Sequence, residues 1–354
     1  MPVFSTTSAL PRQELALAII EGEGAVENLI GEKILPPFPI NKRTAHLIKA
    51  TLANSQALRV IDDAKFIHQP GTKFERMVAT FGDDTMTVDL RGQEIVVPNE
   101  TSLDYAQFLD VEAFYAGRFG QTSALTKEKL IAAQVFNTSN FGSATNSGVA
   151  YTAANVNKVD GTGMNPIQDI IAAIRRVKAK GERPDTVAMS GPVWERVRTC
   201  WNTLQFVRGI FVGIVEVNEK NFAGALADFG IKEVLIGDSY YNNAADQATP
   251  SLSQVWSNAY IWVGKSGKAS AGAETSTGIN VPQLAGVGAN IYWEDYEKGG
   301  KVASSDLSMQ FAGGNYVESY PDLSIDSMIV RVKMSNRPYL GNTRGGDLIA
   351  TQYS

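Results

Sequence analysis

Residues that carry chemistry are scarce in this chain. Cys200 is the only cysteine, which excludes a disulfide framework and a cysteine-based metal site and fits folding in a reducing cytosol. The two histidines, His46 and His68, stand in separate segments with no Cys, Asp or Glu at ligand spacing, so both read as surface residues. Long hydrophobic runs are missing too. Leu15 to Ile20 is bracketed by Glu14 and Glu21, is far too short to span a bilayer, and lacks the basic leader of a secretory signal. There is no basic excess: 32 Lys and Arg against 37 Asp and Glu leave a net charge of −5, unlike a protein that grips nucleic acid through clustered cations.

What is there describes a folded protein with material for two cores: 354 residues, 44% apolar and 19% charged. Catalytic constellations fail one by one. Gly264-Lys265-Ser266 ends like a phosphate-binding loop, but Ala259 occupies the place of the leading glycine. The same stretch fails the nucleophile-elbow pattern, because Lys268 replaces the second glycine. Asp83, Asp84 and Asp89 are not spaced like a calcium loop and read as a solvated hairpin tip. The sequence therefore predicts no catalytic residue, no cofactor and no metal site, and a protein that is not an enzyme.

The longest helical pattern runs from Thr101 to Asn137, with Thr101 and Asp104 as a start signature and apolar residues at helical spacing through Phe108, Val111, Tyr115 and Phe119, then Leu125, Ala132 and Val135. Gly117, Gly120 and Gln121-Thr122-Ser123 interrupt the stripe, which predicts one bent helix or two in tandem, spanning roughly 50 Å at about 1.5 Å per residue. Before it, Gly82-Asp83-Asp84 predicts a turn joining a strand over 71–81 to the alternating run Met86, Val88, Leu90. A two-stranded ribbon is marginal alone in water, so this charged hairpin (Lys73, Glu75, Arg76, Asp83, Asp84, Asp89, Arg91) is expected to project and bind a partner.

Residues 1–35 read as an arm, with an amphipathic stretch over 14–30 and an extended Pro36-Pro37-Phe38-Pro39 run. Residues 138–163, rich in Ser, Thr, Asn and Gly, read as a loop at a domain boundary. A second, α/β unit follows. Pro166 opens a helix striped by Ile167, Ile170, Ile174 and Val177, Thr186 to Ser190 and Val234 to Ile236 are buried strands, Pro192 starts another helix, Phe222 to Phe229 a further one, and Val255 to Val263 forms an apolar strand. Residues 264–280 are small and polar and read as a loop. Tyr316 to Glu318 and Met328 to Val332 return to strands, expected to pair with the early ones and complete the first unit.

This succession resembles the major capsid protein of tailed bacteriophages, the Hong Kong 97-type fold. The likeness rests on the hairpin around 71–97, the helix around 104–136, the segment 165–194 and the tail 316–348. It implies an α+β fold with an N-terminal arm (1–35), peripheral-domain strands and an extended loop (36–100, hairpin about 63–97), a peripheral domain with a spine helix (101–163), an α/β axial domain (164–298) and C-terminal strands completing the peripheral domain (299–354). The resemblance implies a shell protein that assembles with itself into pentamers and hexamers around viral double-stranded DNA, contacted weakly and non-specifically. It implies a virion component assembled in the host cytoplasm without a membrane, with scaffolding, portal and decoration proteins as further partners and an arm lying along a neighbouring subunit. The seven charged hairpin residues are then the subunit-interface candidates. A cellular nanocompartment shell of the same fold and a soluble two-domain α/β enzyme are the alternatives.

Overall fold

The computed structural model describes residues 10–11, 28–49, 82–105, 110–142, 146, 148–156, 158, 162–211, 213, 216–244, 249, 251–267, 286–293 and 315–353. Lys73, Glu75, Arg76, the expected strand over 71–81, the expected amphipathic stretch up to residue 27 and the loop beyond residue 267 lie outside them.

In chain order the first half comprises β1 (Leu10–Pro11), α1 (Gly31–Ile34), β2 (Pro37–Ile40), β3 (Thr44–Lys49), β4 (Gly82–Thr87), β5 (Asp89–Pro98), α2 (Asn99–Tyr105), α3 (Val111–Val135), α4 (Thr138–Phe141) and α5 (Ala153–Val156). The second half comprises α6 (Pro166–Ala179), β6 (Thr186–Ser190), α7 (Gly191–Thr199), α8 (Trp201–Ile210), α9 (Glu219–Ala225), β7 (Glu233–Gly237), β8 (Tyr240–Asn242), β9 (Leu252–Gln254) and β10 (Tyr260–Gly264). It ends with β11 (Ala289–Trp293), β12 (Asn315–Asp322), β13 (Ser327–Tyr339) and β14 (Gly346–Ala350).

Two sheets organise the molecule. In the first, β13 is central: β12 pairs along one side, β5 along the other with Ser327 opposite Pro98 and Asn336 opposite Asp89, and β11 joins at its far end. β2 extends this sheet in parallel beside β11, and β1 lies on β12. The late strands thus pair with the early ones, as expected. The second sheet has the order β14-β10-β6-β7. Its parallel β6–β7 pair is joined by α7, α8 and α9, the crossover that a parallel pair requires. β6 is buried at every position, so Thr186-Val187-Ala188-Met189-Ser190 reads as a continuous run rather than an alternating one. α6 begins at Asn165, whose side chain accepts from Gln168 N, and Pro166 sits where a missing N–H costs nothing. Ile167, Ile170 and Ile174 pack into the core of this half with Trp194, Phe222 and Ile261, and Val177 is fully buried. After the short 3-10 turn Ala227–Phe229, Gly230 takes φ +105, a left-handed position that costs glycine little.

Several sequence expectations need correction. Gly82-Asp83-Asp84 is not a turn but the start of β4, and its partner is β3, with Lys49 opposite Gly82 and Thr44 opposite Thr87. A turn-rich composition describes local preference only; here ladder bonds from a distant strand take up the backbone groups. The alternation through Met86, Val88 and Leu90 breaks at Val88, which leaves the strand to donate its N–H to Arg43 O. Met86 and Val88 are consequently buried while Leu90 is exposed. The break expected at 117–123 is not there: one helix, α2, ends at Tyr105 and a separate one, α3, starts at Val111. Asp110, not Thr101, caps the long helix by accepting from Ala113 N, and α3 runs unbroken through Gly117 and Gly120 for 25 residues, about 37 Å.

The stretch 138–163 buries more than its composition suggests, with Phe141, Tyr151 and Val156 all in the interior. Trp256 lies outside any strand, and the apolar strand is Tyr260–Gly264. The tail divides: β12 and β13 build the first sheet, but β14 crosses to the second and pairs with β10 from Gly264–Gly346 to Tyr260–Ala350. Finally, the described parts of the arm lie on their own chain. Leu10 and Pro11 pair with β12, and Ile30, Ile34 and Leu35 are buried in the core beneath α3.

Candidate assembly surface

The long helix α3 joins the two sheets. Val111, Ala116 and Phe119 from its first half pack with Val97, Val330 and Val332 of the first sheet. Ile131, Ala132 and Val135 from its second half pack with Ile34, Leu35, Trp256 and Trp262, the last of these on β10 of the second sheet.

At the crossing sits Glu128, a buried carboxylate. It accepts from Ile30 N and Gly31 N at 2.8 Å each and from Trp256 Nε1 at 2.6 Å, tying the arm, the helix and the α/β half to one side chain. Burial pushes its pKa up, against the three hydrogen bonds, which pull it down, and the nearby Glu32 charge adds to the rise. Gly31 is required here, because a Cβ would lie 2.5 Å from Glu128 Oε2. In the sequence Lys127-Glu128-Lys129 looks like a solvated charge run. The signal that could have singled out Glu128 is its place in the apolar stripe between Leu125 and Ala132.

The interface candidates separate in space. Asp83 and Asp84 stand in β4 opposite Ile48 and Leu47. Asp89 and Arg91 meet in β5 at 3.3 Å, and Arg337 of β13 lies 4.0 Å from Asp89 while donating to Thr87 O at 2.9 Å. They thus form a charged knot where the β3–β4 ribbon joins the first sheet. His46, on the ribbon, faces Thr85 Oγ1 at 3.3 Å.

The failed catalytic motifs have structural employment. Lys265 Nζ lies 3.7 Å from Glu182, and Ser266 N donates to Asp185 Oδ1 at 2.8 Å. Tyr151 donates to the Asp169 carboxylate at 2.9 Å, and burial holds its hydroxyl well above the usual tyrosine range. A cleft of about 510 Å³ beside the arm is lined by Lys33, Glu195, Arg198, Glu219 and Asp238, among others. Among the described residues no three His, Cys, Asp or Glu side chains group as metal ligands, and no helix is long and apolar enough to cross a membrane.

The sheet half carries a surface that sequence reasoning missed. Among the described residues β5 pairs only with β13, and all of its own residues but Arg91, Ile95 and Val97 are exposed. α2 has no buried residue at all. Leu103 and Tyr105 on α2, which follows β5, and Leu323 and Ile325 in the turn before β13 are exposed, and Phe114 on α3 is exposed with Arg118 5.6 Å from its ring centre. That turn is fixed to α2: Asn99 N donates to Asp326 O at 3.2 Å and Asn99 Nδ2 to Asp326 Oδ1 at 2.7 Å.

No family model and no curated protein sequence matches the chain. Solved structures do. A phage-related protein from Bordetella bronchiseptica RB50 is 17% identical, covers 98% of each chain and superposes with a TM-score of 0.61. The capsid protein assigned to a prophage of E. coli CFT073 is 11% identical over 97% of this chain and 99% of that one, with a TM-score of 0.51. The capsid of the cyanophage P-SCSP1u gives 12%, 100% and 92%, with a TM-score of 0.50. The fold is that of a phage capsid protein. The capsid fold agrees with the resemblance drawn from the order of elements.

Proposed function

We propose that the chain is the major capsid protein of a tailed phage, a non-catalytic subunit that assembles with itself into the pentamers and hexamers of an icosahedral shell around double-stranded DNA. The observation that carries this reading is the end-to-end capsid fold, matched over 97% or more of this chain in each of the three structures above. On this reading α3 is the spine helix, the sheet around β13 the peripheral domain, the sheet around β6 the axial domain, and the β3–β4 ribbon the base of the extended loop. Peripheral and axial units are interleaved in sequence, since β14 belongs with the second sheet.

The bare features make physical sense in a shell. A strand edge without a partner among the described residues and a helix with no fully buried residue are liabilities for a lone molecule and, on this reading, become contacts among copies. A mildly acidic subunit suits a container from which DNA must leave, because a basic lining would hold phosphate. On this reading the ion pairs of Asp89 with Arg91 and Arg337 brace the place where the ribbon leaves the sheet. Scaffolding, portal and decoration proteins are the expected further partners, and the virion the expected location.

The test is size-exclusion chromatography and electron microscopy of the purified full chain. Closed particles several hundred ångströms across support the proposal, and nuclease-protected DNA inside particles from the native source separates a genome container from a shell around protein cargo. A compact monomer or dimer that never assembles overturns it.

A further inference from the structure

The net charge of −5 is not spread evenly over the chain. The stretch 175–183, which ends α6 and continues into the loop after it, carries Arg175, Arg176, Lys178, Lys180 and Arg183 against Glu182 alone. The fold brings Lys232 to the same place: Lys232 N and Glu233 N both donate to Asp185 O, and Lys178 Nζ reaches Phe229 O at 2.9 Å. Lys265 and Arg344 arrive from the end of β10 and from the turn before β14.

At this end of the α/β half the two signs of charge are sorted by depth. The carboxylates are turned inward and met. Glu182 accepts from Asn342 Nδ2 at 2.9 Å and lies 3.7 Å from both Lys265 and Arg344. Asp185 accepts from Ser266 N at 2.8 Å and Thr186 Oγ1 at 2.9 Å, and the buried Asp347 faces Arg176 and Lys180. What is left outside is cationic. Arg175, Lys178, Arg183 and Lys232 are exposed, and none of them has a carboxylate partner among the described residues. Asp228 is the one carboxylate as exposed as they are in the described stretches that build this end.

Helix stability accounts for only part of this. A helix C-terminus favours cations, which suits Arg176 and Lys178 in the last turn, but Arg183 and Lys232 lie beyond the helix. The patch also lacks what a protein partner would use. None of the large apolar side chains exposed in the structure lies in 175–183, 227–233, 265–266 or 342–347. Contacts between proteins are anchored on such side chains, whereas contacts with nucleic-acid phosphates are polar and cationic.

Resting on the shell reading above, we infer that this end of the α/β half, with Arg175, Lys178, Arg183 and Lys232 at its surface, is the face that meets the phosphate backbone of the enclosed double-stranded DNA, and so the face that points into the shell. The patch exposes no aromatic side chain to stack on a base, so the contact reads charge and not sequence. With one phosphate for each of these cations, at about −0.9 per contact, the slope of log K against log salt is about −3.6 for one copy. The hold is firm in dilute buffer and slight at physiological salt, which suits a genome that must leave.

The test is fluorescence anisotropy of a labelled DNA duplex of about 30 base pairs with the full-length chain, kept below the concentration at which it assembles, at about 50 to 200 mM salt. The wild type is expected to bind with the slope above. Arg175→Gln combined with Lys178→Gln, Arg183→Gln and Lys232→Gln is expected to bind at least about tenfold more weakly at the lowest salt, with an unchanged circular-dichroism melt. Lys33→Gln combined with Lys42→Gln, Arg43→Gln and Lys220→Gln removes the same charge from exposed positions elsewhere and is expected to bind as the wild type does. In DNA-filled particles from the native source, formaldehyde is expected to join DNA to Lys178 or Lys232. No duplex binding by the wild type, equal loss in the two combined variants, displacement of the duplex by polyglutamate of equal charge, or DNA adducts confined to other lysines each overturns this surface and leaves the shell reading standing. Chain that binds duplex through the patch yet never forms particles overturns the shell reading and, with it, the inward face.

Discussion

The α/β half and the sheet half of this molecule use the same kinds of residue to opposite ends. Around β6 and α6 the apolar side chains are spent inward: Trp262, Phe222, Ile170 and Ile174 are fully buried, and α6 shows a clean stripe with a cap at each end. Around β5 and α2 comparable side chains are left outward, with a strand edge that has no partner among the described residues and a seven-residue helix with no fully buried residue. The two halves are joined by α3, whose two ends pack in the two cores.

The contrast predicts where substitutions will hurt. The largest effect belongs to the closed half. Phe222→Ala removes a fully buried ring and is expected to cost about 3–5 kcal/mol, seen as a lowered urea midpoint. A loss under about 1 kcal/mol would mean that this core is looser than its burial implies.

Next comes the junction. Glu128→Ala leaves the N–H groups of Ile30, Gly31 and Trp256 without their acceptor, and an unmet buried donor costs about 1–3 kcal/mol. The pH dependence has a definite sign. Because burial raises this carboxyl above its usual 4.5, the folded state binds its proton more tightly than the unfolded state does. The contribution of Glu128 to stability is therefore greatest below 4.5 and falls as pH rises through the folded value. Thermal melts of the wild type and Glu128→Gln should differ in slope in that window, with the variant flatter; parallel curves would contradict the assignment.

Asp347→Asn should cost less, about 1–2 kcal/mol, since it removes the negative charge and one of the two acceptor oxygens that face Arg176 at 2.7 Å and Lys180 at 3.6 Å, while both cations stay about one-third exposed. Its measure is a denaturation midpoint, and the loss should shrink little with salt because the carboxylate itself is buried. The smallest stability effect is expected at the bare end: Leu323→Ser should change the melt by less than about 0.5 kcal/mol while impairing assembly. If it destabilised the monomer as Phe222→Ala does, the two halves would not differ in the way described.

How far the sequence showed this depends on the range of the forces involved. α6, β6, α7 and β7 were legible because periodicity, a cap and a proline act within one segment. The β3–β4 pairing was not, because Thr44 and Thr87 meet across a separation that no local pattern encodes, and Gly82-Asp83-Asp84 carries a turn composition inside a strand. β14 was missed as a member of the second sheet for the same reason. Of the interface candidates, Asp89 and Arg91 pair with each other at the foot of the ribbon, a contact within one strand that no long-range pattern encodes. The bare end could have been suspected from Leu323-Ser324-Ile325 between two aspartates, but exposure is a property of the whole fold and only the packed structure reveals it.

One measurement bears on all of this most directly: a cryo-electron microscopy reconstruction of the purified chain at side-chain detail. The account predicts a closed shell in which Leu103, Tyr105, Phe114, Leu323 and Ile325 are covered by another copy while the core around Phe222 and Trp262 is unchanged. A soluble particle of one or two chains, or a shell in which that end faces open solvent, would contradict it.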